Sequence, residues 1–158
     1  MHDLDESKLH EYLAVIDKKL EGAGREDWSC LTDAERTTLT AYFFALDVTS
    51  GGMEKFFLER GYRWRETLHA IKTVGATRLA ALFEDALAAF PGGVPSRDEA
   101  GRYNQLNAAG GLGGDGLLWE LTGKYYDLQA ASAENCLYQR LTAFAIKQLV
   151  KPSEHSSS

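Results

Sequence analysis

Apolar residues recur at steps of three and four along most of the chain, which is the spacing of one face of an α-helix. The first stripe predicts an amphipathic helix over 4–21 that ends at Gly22 and Gly24. Its members are Leu9, Leu13, Ile16 and Leu20. Similar stripes follow as far as residue 149, separated by breaks that contain glycine or proline. Because no segment alternates apolar and polar residues as a strand would, the pattern predicts a single all-α domain of seven or eight helices, without a sheet.

Two motifs of the capping-box type indicate where helices begin. Thr32 with Glu35, and Ser96 with Glu99, have the spacing at which a hydroxyl and a carboxylate satisfy free backbone N–H groups reciprocally. The helix that follows Thr32 is predicted to turn four residues toward the core, and these are Leu39, Tyr42, Phe43 and Leu46.

Length and composition fit one globular domain. The chain has 158 residues, of which 44% are apolar and 25% charged, values that suit a single buried core. The acidic start of the chain lacks the apolar stretch of a signal peptide, and no membrane-spanning run is present. We therefore expect a cytoplasmic protein with no membrane association. We divide it into an acidic N-terminal helix and connector at 1–31, a helical core at 32–150 and a disordered tail at 151–158.

A pair of glycines interrupts the second predicted helix. Ser50, Gly51 and Gly52 separate its apolar run from Phe56 and Phe57. Glycine permits a positive φ and a close approach of neighbouring backbones, so we interpret the three residues as a structural turn between packed helices. A phosphate-binding loop is disfavoured, because the Lys-Ser/Thr pair of such loops is missing.

Acidic residues are concentrated in the first fifth of the chain. Residues 1–35 contain ten acidic and four basic residues, a net charge of −6, whereas residues 36–158 contain thirteen of each. This balance disfavours direct binding to nucleic acid, which needs a basic surface. We predict an acidic face for a basic protein partner, formed by Asp3, Asp5, Glu6, Glu11, Asp17, Glu26 and Asp27. The alternative interpretation is a solvent face that only keeps the protein soluble.

Other candidate chemistry is sparse. Cys30 and Cys136 form no CxxC motif and are expected to be buried free thiols. The run "GLGGDG" at 111–116 fits a dinucleotide fingerprint on paper, but no strand precedes it. A basic stretch between residues 55 and 72 is interpreted as a solvated helix face, and it contains Lys55, Arg60, Arg63, Arg65 and Lys72. We predict no catalytic residue, no cofactor and no metal site.

Three blocks of the sequence resemble one bacterial family of helical domains of unknown function, whose best-understood member is a DNA mimic protein. The first block is the turn at 50–53 with the two phenylalanines that follow it. The second runs from the Val-Gly-Ala junction at 74–76 to the Phe-Pro pair at 90–91, and the third is the Tyr pair at 125–126. The resemblance spans about residues 35–150. This sequence departs from the family pattern at Ser50 and Met53, where the family has asparagine and an aromatic residue.

The resemblance implies an all-helical fold, a homodimer and a non-enzymatic role. In that role an acidic surface occupies the DNA site of a basic DNA-binding protein. A second class stays open, namely a small-ligand-binding or enzymatic helical domain with a pocket near the Ser-Gly-Gly turn and the glycine-rich loop at 110–116. A mimic binds its partner in a salt-sensitive way, whereas a ligand-binding domain is stabilised by its ligand with little dependence on salt.

Overall fold

The computed structural model describes residues 3–150, so the predicted tail at 151–158 lies outside the described residues. Regular structure in the described part is entirely helical, and the prediction of a single all-α domain is confirmed. The helices are α1 (Ser7–Ala23), α2 (Asp33–Arg60), α3 (Trp64–Thr73), α4 (Thr77–Leu87), α5 (Glu99–Ala108), α6 (Leu117–Ala131) and α7 (Leu137–Leu149). Short 3₁₀ turns occupy Trp28–Cys30, Gly61–Arg63, Pro91–Gly93 and Ala133–Asn135.

One of the two predicted capping boxes is confirmed and the other is wrong. Thr32 and Glu35 form the reciprocal pair at the start of α2, since the Glu35 N–H donates to Thr32 Oγ1 at 3.1 Å and the Thr32 N–H donates to Glu35 Oε1 at 2.8 Å. At the start of α5 the cap is Asp98, which accepts from the Gly101 N–H at 2.9 Å. Ser96 lies two residues further out, so its hydroxyl donates to Asp98 instead.

The Ser-Gly-Gly turn folds α2 back on itself. Gly51 and Gly52 have non-helical backbones, and Gly52 has φ 73° and ψ −178°, a region that essentially only glycine occupies. As a result the rings of Phe44 and Phe56 lie 4.9 Å apart between centroids. Twelve residues of straight helix would separate them by about 18 Å. The helix is thus a hairpin of two arms, 33–50 and 53–60, which the sequence pattern counts as two helices.

An aromatic cluster fills the space between the two arms and α4. Phe44, Phe56, Phe57 and Phe83 are at most 1% exposed, and each of these rings lies within 6 Å of another in the set. The prediction that Leu46 faces the core is wrong, because this side chain is 39% exposed. α2 packs against α3, α6 and α7, so its buried face is set by several neighbours and has shifted to Phe44, Ala45 and Val48.

Arg102 is a buried cation that joins α5 to the end of α2. Its side chain is 2% exposed, and its guanidinium donates to the carbonyl oxygens of Phe57, Leu58, Ser96 and Arg97 at 2.6–3.2 Å. The first two carbonyls belong to the last turn of α2, where backbone acceptors lack helical partners and the helix dipole is negative. Backbone acceptors thereby compensate the buried charge without a carboxylate.

The N-terminal helix α1 is packed into the domain. Leu9, Tyr12, Ile16 and Leu20 are at most 6% exposed, and the helix contacts α7 and α2. Leu4 is fixed to α7 as well, since its N–H donates to Gln139 Oε1 at 2.6 Å and its carbonyl accepts from Gln139 Nε2 at 3.1 Å. The predicted apolar stripe of α1 is therefore its buried face, except that Leu13 is only half-buried.

Candidate functional site

The seven acidic residues predicted to bind a partner are all exposed. They are Asp3, Asp5, Glu6, Glu11, Asp17, Glu26 and Asp27. They do not share one helix face, because α-helical periodicity of 100° per residue places Glu6 and Asp17 on one flank of α1 and Glu11 about 120–140° around the axis. Glu6 is the N-cap residue directly before α1 and has a helical backbone, whereas Asp3, Asp5, Glu26 and Asp27 lie further outside the helix, before and after it. The structure therefore distributes these carboxylates around both ends and two flanks of the helix.

Two of these carboxylates are paired with basic side chains of the same segment. Lys8 Nζ lies 3.2 Å from Glu11 Oε2. Arg25 bridges Asp17 and Glu21, and its Nη2 is 3.3 Å from Glu21 Oε1. All of these groups are more than half exposed, so the pairs are weak and open to competition by a charged partner.

Three further carboxylates accept hydrogen bonds, two of them from residues close in sequence and one from α7. Asp5 accepts from the Ser7 N–H and Asp27 from the Ser29 N–H, both at 3.0 Å. The backbone hydrogen bond from Ser7 lowers the pKa of Asp5, and the Ser29 side chain and N–H lower the pKa of Asp27. Glu6 Oε2 accepts from Gln139 Nε2 of α7 at 2.9 Å. Among residues 3–150, Asp3 and Glu26 form no ion pair, which leaves their charges uncompensated by a nearby base.

Glu35 is an acidic residue of this region with a structural role that goes beyond its cap. Its side chain is 4% exposed, and Lys19 of α1 lies 2.7 Å from Glu35 Oε2. Burial by itself raises the pKa of Glu35, but the hydrogen bonds from Lys19 and from Thr32 outweigh burial and hold the pKa below its ordinary value. The pair ties α1 to the start of α2.

A groove of about 830 Å³ lies between α1, the connector, the start of α2 and the turn after α2. We call it the arginine groove. It is lined by Leu13, Ile16, Asp17, Leu20, Arg25, Glu26, Trp28, Arg36, Leu39, Tyr42, Phe43, Arg60, Tyr62 and Arg63. Four arginines face two carboxylates across a largely apolar and aromatic wall, so its polar groups are predominantly cationic.

Two of the arginines lie on aromatic rings. The Arg60 guanidinium is 5.0 Å from the Phe43 ring centroid, and that of Arg63 is 4.4 Å from the Trp28 ring centroid. The two rings are themselves stacked, 6.0 Å apart with an interplanar angle of 30°. The Ser-Gly-Gly turn produces this arrangement, because seventeen residues of straight helix would place residue 60 about 25 Å from residue 43. Interpreting the 55–72 stretch as a solvated face is therefore wrong for these two residues.

Arg36 and Asp47 hold the aromatic wall in place. Arg36 Nη1 donates to the Leu31 carbonyl at 2.8 Å and to the Trp28 carbonyl at 3.5 Å, which fixes the 3₁₀ turn that carries Trp28. Asp47 is 5% exposed, and its Oδ2 lies 2.8 Å from Arg60 Nε, although the two atoms are not aligned as a hydrogen bond. Burial raises the pKa of Asp47, and the charge of Arg60 only partly offsets that effect.

The region of the Ser-Gly-Gly turn is closely packed. The Met53 N–H donates to Thr122 Oγ1 of α6 at 2.9 Å, and a Cβ on Gly52 would lie 3.1 Å from the same oxygen. In the loop at 110–116, a Cβ on Gly116 would be 2.6 Å from the carbonyl oxygens of Gly111 and Leu112. The turn thus packs against the Thr122 side chain of α6 and the loop against its own backbone, and the arginine groove lies at the other end of the α2 arms.

In the part of the chain that the structure describes, the cysteines and the potential metal ligands form no assembled site. Cys30 is exposed and Cys136 is half-buried, so the expectation of two buried thiols is wrong. Cys30 belongs to the 3₁₀ turn of the connector, of which no residue is buried. Within residues 3–150, no group of three or more His, Cys, Asp or Glu side chains could hold a metal ion. Over the same range, no helix combines the length and the apolar character needed to cross a membrane.

Comparison with known proteins yields a family model that matches residues 29–148, described as DMP19-like protein. The chain belongs to the DMP19-like protein family. No curated protein and no solved structure matches it. The match includes all of α2 to α6, the Ser-Gly-Gly turn and the Tyr pair at 125–126.

Most of the excess of acidic over basic residues lies before the DMP19-like region. Residues 1–28 contain eight acidic and four basic residues, whereas the matched residues 29–148 contain fourteen acidic and twelve basic ones. All seven predicted partner-binding residues precede the match. The Ser-Gly-Gly turn, Arg36, Arg60 and Arg63 fall inside it, so the arginine groove is assembled from the DMP19-like region together with α1.

Sequence reasoning missed the arginine groove. Arg60 and Arg63 were visible as a local excess of basic residues, and Trp28 as an aromatic residue near a predicted helix start. The signal that links them is the glycine pair, because a reversal of the chain at Gly51–Gly52 brings residue 60 back toward residue 43. Recognising it requires knowing which way the second arm of α2 turns, and the helix period does not give this.

Proposed function

We propose that this protein is a non-enzymatic interaction protein of the DNA-mimic type. It binds a basic DNA-binding protein through acidic surface and thereby competes with DNA for that protein. The observation that carries the proposal is membership of the DMP19-like family over residues 29–148, since DMP19 is a DNA mimic protein. The net charge of −6 has the sign that the proposal requires, because a mimic must present negative charge to a phosphate-binding site.

The partner-binding surface in this proposal is the set of exposed carboxylates around α1. Asp3 and Glu26 offer charges without an ion-pair partner in the described residues, at opposite ends of the helix. Between them Glu6 and Asp17 share one flank, about 16 Å apart along the axis. Asp5, Glu11 and Asp27 add charge at the N-terminus, on the other flank and in the connector. These carboxylates act on an approaching partner through electrostatic steering and specificity. Because α1 is packed on the domain, their positions stay fixed while the partner approaches.

A homodimer is part of the same proposal. Two large aromatic side chains of α6 are exposed, Trp119 at 64% and Tyr126 at 46%. Gly123 lies between them along the helix, and a Cβ on it would meet no atom within 4 Å. Exposed aromatic residues on one helix face are enriched at subunit interfaces. Sedimentation at micromolar concentration should give a species of twice 17.5 kDa, and a monomer alone would contradict the dimer.

The mimic proposal is tested by capture from the native host lysate at low and high salt, followed by competition with DNA. We expect a captured protein that binds duplex DNA, that the duplex displaces from this protein, and that is lost as salt rises. Neutralising Glu6→Gln, Glu11→Gln and Asp17→Asn together should slow association with that protein and leave the fold intact.

A matched control removes three exposed acids from elsewhere on the molecule. Glu84→Gln, Asp85→Asn and Asp127→Asn change the net charge by the same amount but lie on α4 and α6. We expect the control to retain the partner at low salt. If the α1 variant and the parent capture the same DNA-binding protein equally well at low salt, the carboxylates of α1 are not the binding surface. If the captured protein ignores DNA, the mimic role itself is wrong.

A further inference from the structure

We propose that the arginine groove binds a small organic carboxylate with an apolar body. Arg60 and Arg63 hold the carboxylate, and the apolar wall of the groove takes the rest of the molecule. This site shares Asp17 and Glu26 with the acidic surface of the proposed function, but its ligand contacts are the two arginines and it needs no partner protein.

The two arginines have donors to spare. Arg60 has one contact to a carboxylate, through Nε to Asp47, and its two terminal nitrogens make no hydrogen bond within residues 3–150. Arg63 Nε is 3.8 Å from Glu66 Oε2, beyond hydrogen-bond distance. Stacking on a ring uses the face of a guanidinium and leaves its N–H edge available. This edge forms bidentate hydrogen bonds with a carboxylate.

The arginine heads are also partly withdrawn from water. The side chains of Arg60 and Arg63 are 39% and 29% exposed, and their flat faces rest on Phe43 and Trp28. A charge-assisted hydrogen bond is stronger where water is partly excluded than on an open surface. Fixing the side chains on rings in advance also reduces the conformational entropy that a ligand would otherwise have to offset.

The groove offers an apolar wall of suitable size beside these heads. Leu13, Ile16, Leu20 and Leu39 line it together with the aromatic residues, and its volume of about 830 Å³ is within the range of small-molecule sites. Such sites combine a mostly apolar lining with a few convergent polar groups. The lining therefore fits a hydrocarbon or an aromatic ring system and does not fit a strongly polar ligand.

The preference for an anion rests on the arginine edges that no carboxylate among residues 3–150 occupies. Arg25 bridges Asp17, and Arg60 contacts Asp47 only through Nε, while the one carboxylate near Arg63 is 3.8 Å away. Arg36 is committed to the carbonyls of Leu31 and Trp28 and to Asp33, so we assign it the positioning of Trp28. Arg60 and Arg63 remain to contact the ligand.

The simpler interpretation is that both arginines only stabilise the fold by stacking. A matched pair of probes separates the two interpretations, namely 1-naphthoate and naphthalene-1-carboxamide, which share one ring system and differ in charge. Binding to the full chain is measured by calorimetry and by the fluorescence of the tryptophans, one of which lines the groove. We expect 1-naphthoate to bind and the carboxamide to bind at least about tenfold more weakly, since a hydrogen bond to a charged group is lost.

Arg63→Gln is the decisive variant, because Arg63 has no close ion pair whose loss would disturb the fold. It should weaken 1-naphthoate at least about tenfold and leave the carboxamide unchanged. Arg78→Gln removes an exposed arginine of α4 and should change neither. Leu13→Trp, at a half-buried position of the groove wall, should weaken both probes by filling the space. Thermal unfolding of each variant confirms that it is folded.

Three results would overturn the proposal. One is the absence of 1-naphthoate binding at millimolar concentration. Another is equal affinity for the carboxamide, which would indicate an apolar groove without an anion site. The third is unchanged binding of 1-naphthoate by a folded Arg63→Gln variant, which would leave Arg63 with its stacking role only.

Discussion

The N-terminal segment at 3–28 and the DMP19-like region at 29–148 differ in their charge and in their share of the core. The first has most of the excess acid of the molecule and precedes the family match. The second is nearly balanced in charge and contains the aromatic cluster and the glycine turn. Yet the two are not independent units, because the buried face of α1 packs on α7 and α2. The net charge therefore changes at the edge of the family match, whereas the packed core continues across it.

A family match can therefore end before the boundary of the folded unit. α1 buries four large side chains and its Lys19 pairs with the buried Glu35 of α2. A helix that covers a core is constrained only on its inner face, so its outer face is free to have any charge. The acidic exterior of α1 can thus differ among proteins that share the fold, while its interior must keep its shape.

The largest expected effect tests whether α1 is part of the core. Ile16→Ala in α1 and Ile71→Ala in α3 remove the same atoms from sites that are 1% and 0% exposed. Each should lower the free energy of unfolding by about 2–5 kcal/mol, from lost burial and the cavity that remains. Urea denaturation measures both. If Ile71→Ala greatly lowers the free energy of unfolding but Ile16→Ala hardly changes it, α1 is not part of the cooperative core.

The next effect concerns the turn within the DMP19-like region. Gly52→Val should cost about 1–3 kcal/mol, because Gly52 has φ 73° and a Cβ would lie 3.1 Å from Thr122 Oγ1. Gly22→Ala is the matched change in α1, where a Cβ has open space, and it should stabilise by up to about 1 kcal/mol. Thermal unfolding compares the two. If Gly52→Val keeps the melting temperature of the parent but loses function, the turn is a binding site and not only a structural element.

A smaller effect appears in the pH dependence of the contact between the two regions. Glu35→Gln keeps an acceptor for the Thr32 N–H and removes the charge that pairs with Lys19, at a cost of about 1 kcal/mol near neutral pH. The folded state holds the pKa of Glu35 below its ordinary value of 4.5, so this stability is present above pH 4.5 and is lost as the pH falls through the folded-state pKa.

Urea denaturation of the parent and of Glu35→Gln at a series of pH values checks the sign. The difference in unfolding free energy should be largest above pH 4.5 and should shrink in more acidic solution. A difference that grows on acidification would mean that burial outweighs Lys19 and raises the pKa of this carboxyl.

The smallest expected effect is on the stability of the acidic exterior. Neutralising Glu6, Glu11 and Asp17 together should change the unfolding free energy by less than about 1 kcal/mol, because exposed pairs contribute little. Chemical denaturation at low and high salt measures it. A loss comparable to that of Ile16→Ala would assign these carboxylates to the fold and remove the reason to place a partner on them.

Some sequence predictions failed for reasons that concern particular residues. Ser96 was expected to cap α5, but Asp98 sits directly before the helix and has the stronger acceptor. Leu46 was expected inside, but five helices pack around α2 and moved its buried face. Arg60 and Arg63 were expected in solvent, and a long side chain of this kind can either extend into water or lie along an aromatic ring.

The features that follow from the order of residues alone are local. The helices follow from apolar residues three and four apart, the start of α2 from Thr32 and Glu35, and the break in α2 from a glycine pair that permits a positive φ. The segregation of acid into the first fifth of the chain is a plain count. Each of these depends on interactions within a few residues, which the order of residues specifies directly.

Which distant groups meet depends instead on how the helices pack. The direction in which the second arm of α2 returns places Arg60 on Phe43 and buries Asp47, and the docking of the connector places Trp28 under Arg63. The same packing closes α1 over the groove and leaves its carboxylates on separate flanks. These contacts join residues thirteen or more positions apart, and they depend on how whole helices fit together, so no period or motif in the sequence specifies them.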